Sequence, residues 1–118
     1  MKFDNPCRVE TLPASYWDWE LQDALLHSKG VGIELPSPEV RFWTFENGLG
    51  VAARLSRDML LAGLIYYDVW AFPTFGRPKQ LTEKELEQRN LPMSLAPKEN
   101  LLPEEVEEFL NVVESILC

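Results

Sequence analysis

The sequence has few of the residues on which enzymes commonly depend. It contains one histidine, His27, and two cysteines, Cys7 and Cys118, which lie near opposite ends of the chain. A zinc site needs several Cys or His residues at close spacing, and a nucleophile–histidine pair needs a partner next to the histidine. We therefore predict no catalytic, cofactor-binding or metal-binding residue. Two distant cysteines are typical of free thiols in a cytosolic protein.

Long apolar runs are absent as well. Residues 1–6 contain no stretch of the length that a signal peptide needs, and no later segment reaches the roughly 18 uninterrupted apolar residues of a membrane span. The hydrophobic fraction of 46% and the charged fraction of 25% are ordinary for a globular protein. At 118 residues the chain has a common domain size, so we predict one cytosolic domain, residues 1–118.

Basic residues are scarce in the last third of the chain. The whole sequence has 19 acidic and 11 basic residues and a formal net charge of -8. Residues 82–118 contain nine glutamates but only three lysines and arginines. A field of one sign attracts basic partners and repels nucleic acids and anionic lipids. The charge distribution thus predicts a protein that binds a basic protein, with no nucleic-acid and no membrane partner.

The first predicted helix begins at a capping pattern. Ser15 is followed three residues later by Asp18, and this spacing allows both side chains to bind free backbone N–H groups at a helix start. The pattern predicts a helix from about Tyr16 to Ser28. Gly30 is expected to end it, because glycine accepts the left-handed conformation that is common after a helix C-terminus.

Two more helices are predicted in the acidic last third. Thr82 and Glu85 repeat the capping pattern and predict a short helix to about Arg89. Pro103 suits the first turn of a last helix, which needs no N–H there. Apolar residues then recur at helical spacing and predict the inner face of this helix: Val106, Phe109, Leu110, Val113, Ile116 and Leu117.

Between the helices the pattern changes to that of strands. Residues 39–45 are rich in β-branched and aromatic side chains, and Asn47-Gly48 predicts a two-residue hairpin turn with positive φ at both positions. The return strand is expected at Leu49–Leu55.

A third strand, covered on both sides, is predicted within residues 59–72. A helix over Met59–Leu64 is the alternative, although Gly63 makes it less favourable. Residues 91–100 are predicted to be an irregular connection. The predicted fold class is α+β: an N-terminal helix, a three-stranded antiparallel meander, a short helix, and a C-terminal amphipathic helix packed on the sheet.

The chain has more large rings than one face of such a sheet accommodates. Successive strand residues point to opposite faces, so Phe42 and Trp43 diverge, and some rings are exposed unless both faces are covered. Exposed rings beside carboxylates are typical of protein-binding surfaces. The alternative is a sheet covered on both faces, with every ring in the core. We predict seven partner-binding residues: Trp19, Trp43, Asp68, Trp70, Glu104, Glu107 and Glu108.

The stretch that leads into the first predicted helix resembles a known family. Residues 12–17 read Leu-Pro-Ala-Ser-Tyr-Trp, similar to the Leu-Pro-x-Ser-Tyr-Trp opening of some immunity proteins of bacterial contact-dependent growth inhibition systems. The aromatic-rich centre and the acidic final helix agree with that family in architecture. The resemblance implies a cytosolic antitoxin that binds a toxin domain, often a nuclease, and blocks its active site.

Two other functions fit the sequence. An acidic chaperone or assembly adaptor would share the charge but use an apolar groove, in a homodimer. An enzyme would pair carboxylates such as Asp58 and Asp68 in a deep pocket where their pKa values are shifted. A toxin inhibitor should bind one partner with an association rate that falls as salt rises, whereas a chaperone should bind several segments with little salt dependence. Both a monomer and a homodimer agree with the sequence.

Overall fold

The computed structural model describes residues 2–12, 39–56, 66–75 and 79–116. Within these ranges five strands form one antiparallel sheet, and their order in space equals their order in the chain. The strands are β1 (Arg8–Thr11), β2 (Glu39–Thr44), β3 (Leu49–Leu55), β4 (Tyr67–Pro73) and β5 (Lys98–Leu101). The described helices are α1 (Glu83–Gln88) and α2 (Pro103–Glu114), and 3₁₀ turns lie at Lys2–Asp4 and Met93–Leu95.

The predicted three-stranded meander is wrong, because the sheet has two further strands at its edges. We did not predict β1, and the first three residues of β5 lie within residues 91–100, where we predicted an irregular connection. All four residues of β1 and three of the four in β5 are exposed. A strand that buries neither face has no alternating apolar pattern, so its sequence contains no strand signal. The predicted helix from Tyr16 to Ser28 lies outside the described residues.

The predicted hairpin between β2 and β3 is confirmed, but its turn differs from the prediction. The Phe45 N–H donates to the Leu49 carbonyl at 2.9 Å, and the Gly48 N–H donates to the Phe45 carbonyl at 3.3 Å. Gly48 has a φ of 86°, whereas Asn47 has no positive φ. The loop therefore has three residues and ends in a left-handed glycine, the next most common way to join two antiparallel strands.

The third predicted strand is confirmed in its second half. β4 begins at Tyr67 and pairs with β3 on one side and with β5 on the other. Tyr67, Val69 and Ala71 alternate with Asp68 and other residues of the opposite face, as the period of two requires. The choice between strand and helix for residues 59–64 lies outside the described residues.

Both predicted helices of the last third are confirmed. The Thr82 hydroxyl accepts a hydrogen bond from the Glu85 N–H at 3.4 Å, at the start of α1. Pro103 is the first residue of α2, and the Glu105 carboxylate accepts from the Leu102 N–H at 3.1 Å. Four residues of the predicted apolar face are buried in α2: Val106, Phe109, Leu110 and Val113. Ile116 follows the end of the helix and is only partly buried, and Leu117 lies outside the described residues.

The main core lies between α2 and one face of the sheet, which we call the helix face. It includes Val51, Val69 and Leu110, all fully buried, together with Trp43. Phe3 from the first 3₁₀ turn enters this core, with its ring centroid 6.2 Å from that of Trp43. Apolar burial of this kind is the main stabilising contribution to a fold.

The opposite face of the sheet also carries buried apolar side chains. A second, smaller cluster is formed there by Val40, Ala52 and Phe72, with Phe42 and Trp70 packed against it. The large rings of the described strands are therefore divided between the two faces of the sheet. The result lies between our two predictions, because Trp43 and Phe72 are buried, Phe42 and Trp70 are only partly buried, and Phe75, just after β4, is 81% exposed.

Candidate protein-binding surface

A groove lies on the outside of α2, where this helix meets β5 and the second 3₁₀ turn. Its volume is about 300 Å³, at the lower end of the roughly 300–1,000 Å³ range of small-molecule pockets. We call it the acidic groove. Its lining residues are Ser94, Lys98, Leu101, Glu105, Glu108, Phe109 and Val112.

The acidic groove follows from the spacing of residues along α2. Glu105, Glu108 and Val112 are three and four positions apart, so their side chains lie on one side of the helix. Because Phe109 is buried in the main core, this neighbouring stripe faces the rim of β5. Val112 is 37% exposed, and Met93, next to the lining residue Ser94, is 50% exposed. Apolar surface and carboxylates therefore lie together in one place.

Two glutamates of α2 are free to interact with a partner. Glu104 and Glu108 are exposed and lie one helical turn apart. Within the described parts of the chain, neither carboxylate forms an ion pair. Like charges at this spacing destabilise a helix by about 0.2–0.5 kcal/mol, which a cation bound between them would relieve. Lys98 is the one cation among the residues that line the groove.

Glu107, also predicted to bind a partner, is committed to an internal contact. Its two carboxylate oxygens accept the backbone N–H groups of Lys2 at 2.9 Å and Phe3 at 2.8 Å. Desolvation acts to raise the pKa of Glu107, but these two hydrogen bonds and the charge of Lys2 hold this pKa below its ordinary value of 4.5. The carboxylate therefore fixes the N-terminal turn against α2.

Lys2 neutralises this same side of α2. Its ammonium group lies 3.5 Å from the Glu114 carboxylate and donates to the Asn111 side-chain oxygen at 2.6 Å. The two polar sides of α2 thus differ in whether their carboxylates have partners. The side with Glu107 and Glu114 is bonded to the N-terminal turn, and the side with Glu104 and Glu108 is open.

Trp43 does not lie on the surface of the chain. It is 2% exposed, and its indole N–H donates to the Lys2 carbonyl at 2.6 Å. A partner would reach this ring only after the N-terminal turn moved away. We therefore do not retain Trp43 as a partner-binding residue.

Asp68 and Trp70 lie on the face of the sheet opposite α2. Asp68 is 3.3 Å from the Arg54 guanidinium and accepts from the Asn100 N–H at 3.2 Å. The same guanidinium lies 5.8 Å from the centroid of the half-buried Trp70 ring. The carboxylate of Asp68 is thus neutralised within the chain. Trp19 lies outside the described residues, so the seven predicted residues do not form one surface.

Sequence reasoning missed the apolar part of the acidic groove. Val112 interrupts the polar side of α2, and an apolar residue among glutamates is a signal that could have been recognised. Ser94 lies in the segment 91–100 that we predicted to be an irregular connection, and Leu101 directly follows it, so neither residue was assigned to a strand or a surface. Their position next to α2 depends on the pairing of β5 with β4.

A second, open depression of about 470 Å³ lies beside the N-terminal turn and contains the exposed thiol of Cys7, which is 3.7 Å from the Thr44 hydroxyl. Among the described residues no three His, Cys, Asp or Glu side chains are placed to hold a metal ion. Asp58 and His27 lie outside these residues, so the proposed carboxylate pair stays a prediction.

Comparison with known proteins assigns no function to this surface. Among the described helices, none has both the length and the apolar character needed to cross a membrane. No protein family, curated protein or solved structure matches the chain.

Proposed function

We propose that this protein binds a basic segment of another protein in the acidic groove and thereby neutralises that partner. One observation supports the proposal more than any other. Exposed apolar surface at Val112 lies in the groove with the carboxylate of Glu108, and Glu104 lies one helical turn away; neither glutamate has an ion-pair partner among the described residues.

The two kinds of surface have separate roles in binding. An apolar side chain of the partner would fill the groove over Leu101 and Val112 and supply most of the affinity. The carboxylates would attract Arg or Lys residues on either side of this anchor and raise the association rate, an effect that salt screens. Glu105 has a structural role as well, because it bonds to the first turn of α2.

The partner that we favour is a basic toxin domain of the nuclease type. Such domains bind a polyanion in a basic cleft, which an acidic surface can occupy. This more specific form of the proposal depends on the resemblance of residues 12–17 to immunity proteins and places the protein in the cytosol. An acidic adaptor would instead bind many apolar segments with little dependence on salt.

Fluorescence anisotropy with labelled peptides tests the proposal. The probes are 12-residue peptides with one central leucine flanked by arginines, and acidic peptides with the same leucine. The double variant Glu104→Gln/Glu108→Gln removes the open charge. Its matched control is Glu83→Gln/Glu87→Gln on α1, which has the same spacing, exposure and change of net charge.

We expect the basic peptides to bind wild type and the α1 control with similar affinity and the α2 variant about tenfold more weakly, with affinity falling as salt rises. Val112→Ser should weaken binding at every salt concentration, because it removes apolar surface without changing charge. Equal losses in the two glutamine variants would show that net charge, and not this groove, attracts the peptide. Equal binding of the acidic peptides would exclude the proposal and favour the adaptor.

The toxin form of the proposal has its own assay. If a toxin domain is encoded next to this chain, wild type should inhibit its nuclease activity, and Glu104→Gln/Glu108→Gln should inhibit it less than Glu83→Gln/Glu87→Gln does. Inhibition that is identical for the two variants would place the toxin-binding site elsewhere.

A further inference from the structure

The strand β1 forms one edge of the sheet and is open to association. It comes first in the strand order and pairs only with β2 among the described strands. All four of its residues are exposed, and Val9 is 47% exposed, one of the most exposed large apolar side chains in the described residues. An edge strand with free backbone groups is a template for pairing with another strand.

The direction of the backbone groups in β1 follows from its register. The Phe42 carbonyl points toward β1, because it accepts the N–H of Cys7 at 2.8 Å. Arg8 lies opposite Phe42, so the N–H and C=O groups of Arg8 and Glu10 point toward β2. Successive residues alternate, and the N–H and C=O groups of Val9 therefore point away from the sheet.

The side chains of β1 around Val9 are complementary to those of a second copy of β1. In an antiparallel pair of two β1 strands centred on Val9, each Val9 lies opposite its own equivalent and each Arg8 lies opposite Glu10 of the second copy. Arg8 and Glu10 project from the same face of β1, because the Arg8 guanidinium lies 3.4 Å from the Glu10 carboxylate of the same chain. Both side chains are more than half exposed, so they can exchange this internal contact for two contacts across the interface.

We propose that β1 is a dimerisation strand, which pairs antiparallel with β1 of a second copy of this chain about a two-fold axis through Val9. The two sheets then form one continuous sheet of ten described strands. The Val9 pair contributes two backbone hydrogen bonds, and two Arg8–Glu10 pairs flank it, one on each side. If the two-fold axis passed through Arg8 or Glu10 instead, that residue would lie opposite its own equivalent and like charges would meet, so the charges favour the axis at Val9.

The proposed dimer leaves the acidic groove accessible. The groove borders β5, at the edge of the sheet opposite β1. Dimerisation would therefore present two acidic grooves to a partner without covering either. This inference does not depend on the proposed function, and the two are tested with different residues.

Charge-reversed variants test the interface in sedimentation equilibrium. An interface of one short strand is small, so we expect wild type to dimerise within a range of about 10 μM to 1 mM. Arg8→Glu alone and Glu10→Arg alone should each weaken self-association about tenfold or more, because each places two like-charge pairs in the interface. An equimolar mixture of the two variants should associate as wild type does, since their charges are then complementary.

Disulfide trapping tests the register. In a Cys7→Ser/Cys118→Ser background, Val9→Cys should form a disulfide-linked dimer, because residues in a bonded antiparallel pair have Cα atoms about 5.5 Å apart. Thr11→Cys is the matched control, since its two copies would be more than about 13 Å apart. Circular dichroism should show every variant folded, because the substituted side chains of β1 are exposed.

Three results would overturn the proposal. The first is wild type that stays monomeric up to about 1 mM, because association that needs a higher concentration would not be specific. The second is a mixture of Arg8→Glu and Glu10→Arg that associates no better than either variant alone. The third is equal trapping of Val9→Cys and Thr11→Cys. Unchanged peptide binding by Arg8→Glu would show that the acidic groove functions independently of dimerisation.

Discussion

Asn47 connects the hairpin loop to the C-terminal end of α2, and its replacement should destabilise the whole fold. Its side-chain amide donates to the carbonyls of Val113 at 2.8 Å, Glu114 at 3.3 Å and Ile116 at 2.9 Å. Its side-chain oxygen accepts the N–H of Leu49 at 3.0 Å. One amide thus satisfies carbonyls at the helix end that have no partner within the helix.

The substitution Asn47→Asp removes the amide donor and keeps the shape of the side chain. The two shorter hydrogen bonds to α2 contribute about 0.5–1.5 kcal/mol each. The introduced carboxylate also lies at the negative end of the helix dipole, an unfavourable placement of about 0.3–1 kcal/mol. We therefore expect the free energy of unfolding to fall by about 2–3 kcal/mol at pH 7. The turn itself should tolerate the change, because aspartate suits such loops as well as asparagine does.

Urea unfolding of wild type, Asn47→Asp and Asn90→Asp measures this effect. Asn90→Asp is the matched control, because it makes the same chemical change at an exposed residue just after the C-terminal end of α1, where no side-chain hydrogen bond within the described chain is lost; we expect only the dipole penalty, at most about 1 kcal/mol. The free energy of unfolding of Asn47→Asp should approach that of Asn90→Asp below about pH 4, where the introduced carboxyl group becomes neutral. Equal stabilities of the two variants at pH 7 would refute the role of Asn47 in capping α2.

Two further substitutions test the packing of the sheet and the anchoring of the N-terminal turn. Gly50→Ala should lower the free energy of unfolding by about 1–3 kcal/mol in urea, because the added Cβ would lie 2.6 Å from the Phe72 ring and 2.8 Å from the Trp43 carbonyl; an unchanged midpoint would contradict it. Glu107 has a lowered pKa in the folded chain, so its contribution to stability is present above pH 4.5 and is lost as the pH falls through the folded-state value. Glu107→Gln should flatten the fall in stability of wild type below pH 4.5, and parallel pH profiles would show that the Lys2 and Phe3 contacts do not stabilise the charged form.

Local signals in the sequence were sufficient to predict part of the fold. The capping residue Thr82 and the position of Pro103 predicted the starts of α1 and α2, because a helix end is determined by a few neighbouring residues. Asn47-Gly48 predicted the hairpin for the same reason, although not the three-residue form of its loop. The excess of negative charge in the last third was also evident, since charge depends on composition alone.

The edges of the sheet were not predictable in this way. β1 and β5 are short and exposed, so neither carries the alternation of apolar and polar residues by which strands are recognised. Their backbones are ordered by hydrogen bonds to β2 and β4, which are distant in sequence. The acidic groove was missed for the same reason, because one of its walls is β5.

The sequence by itself determined which residues of α2 carry charge and which side of the helix is apolar. Only the tertiary structure decided that Glu107 bonds to the backbone of Lys2 and Phe3, whereas Glu104 and Glu108 form no ion pair with any residue that the structure describes. Asn47 is a second example. Its place before Gly48 in the sequence predicts a turn, but only the tertiary structure brings its amide to the end of a helix 66 to 69 residues away. Helical periodicity identifies a face, but a polar group acquires its role from the donors and acceptors that distant segments bring within about 3 Å of it.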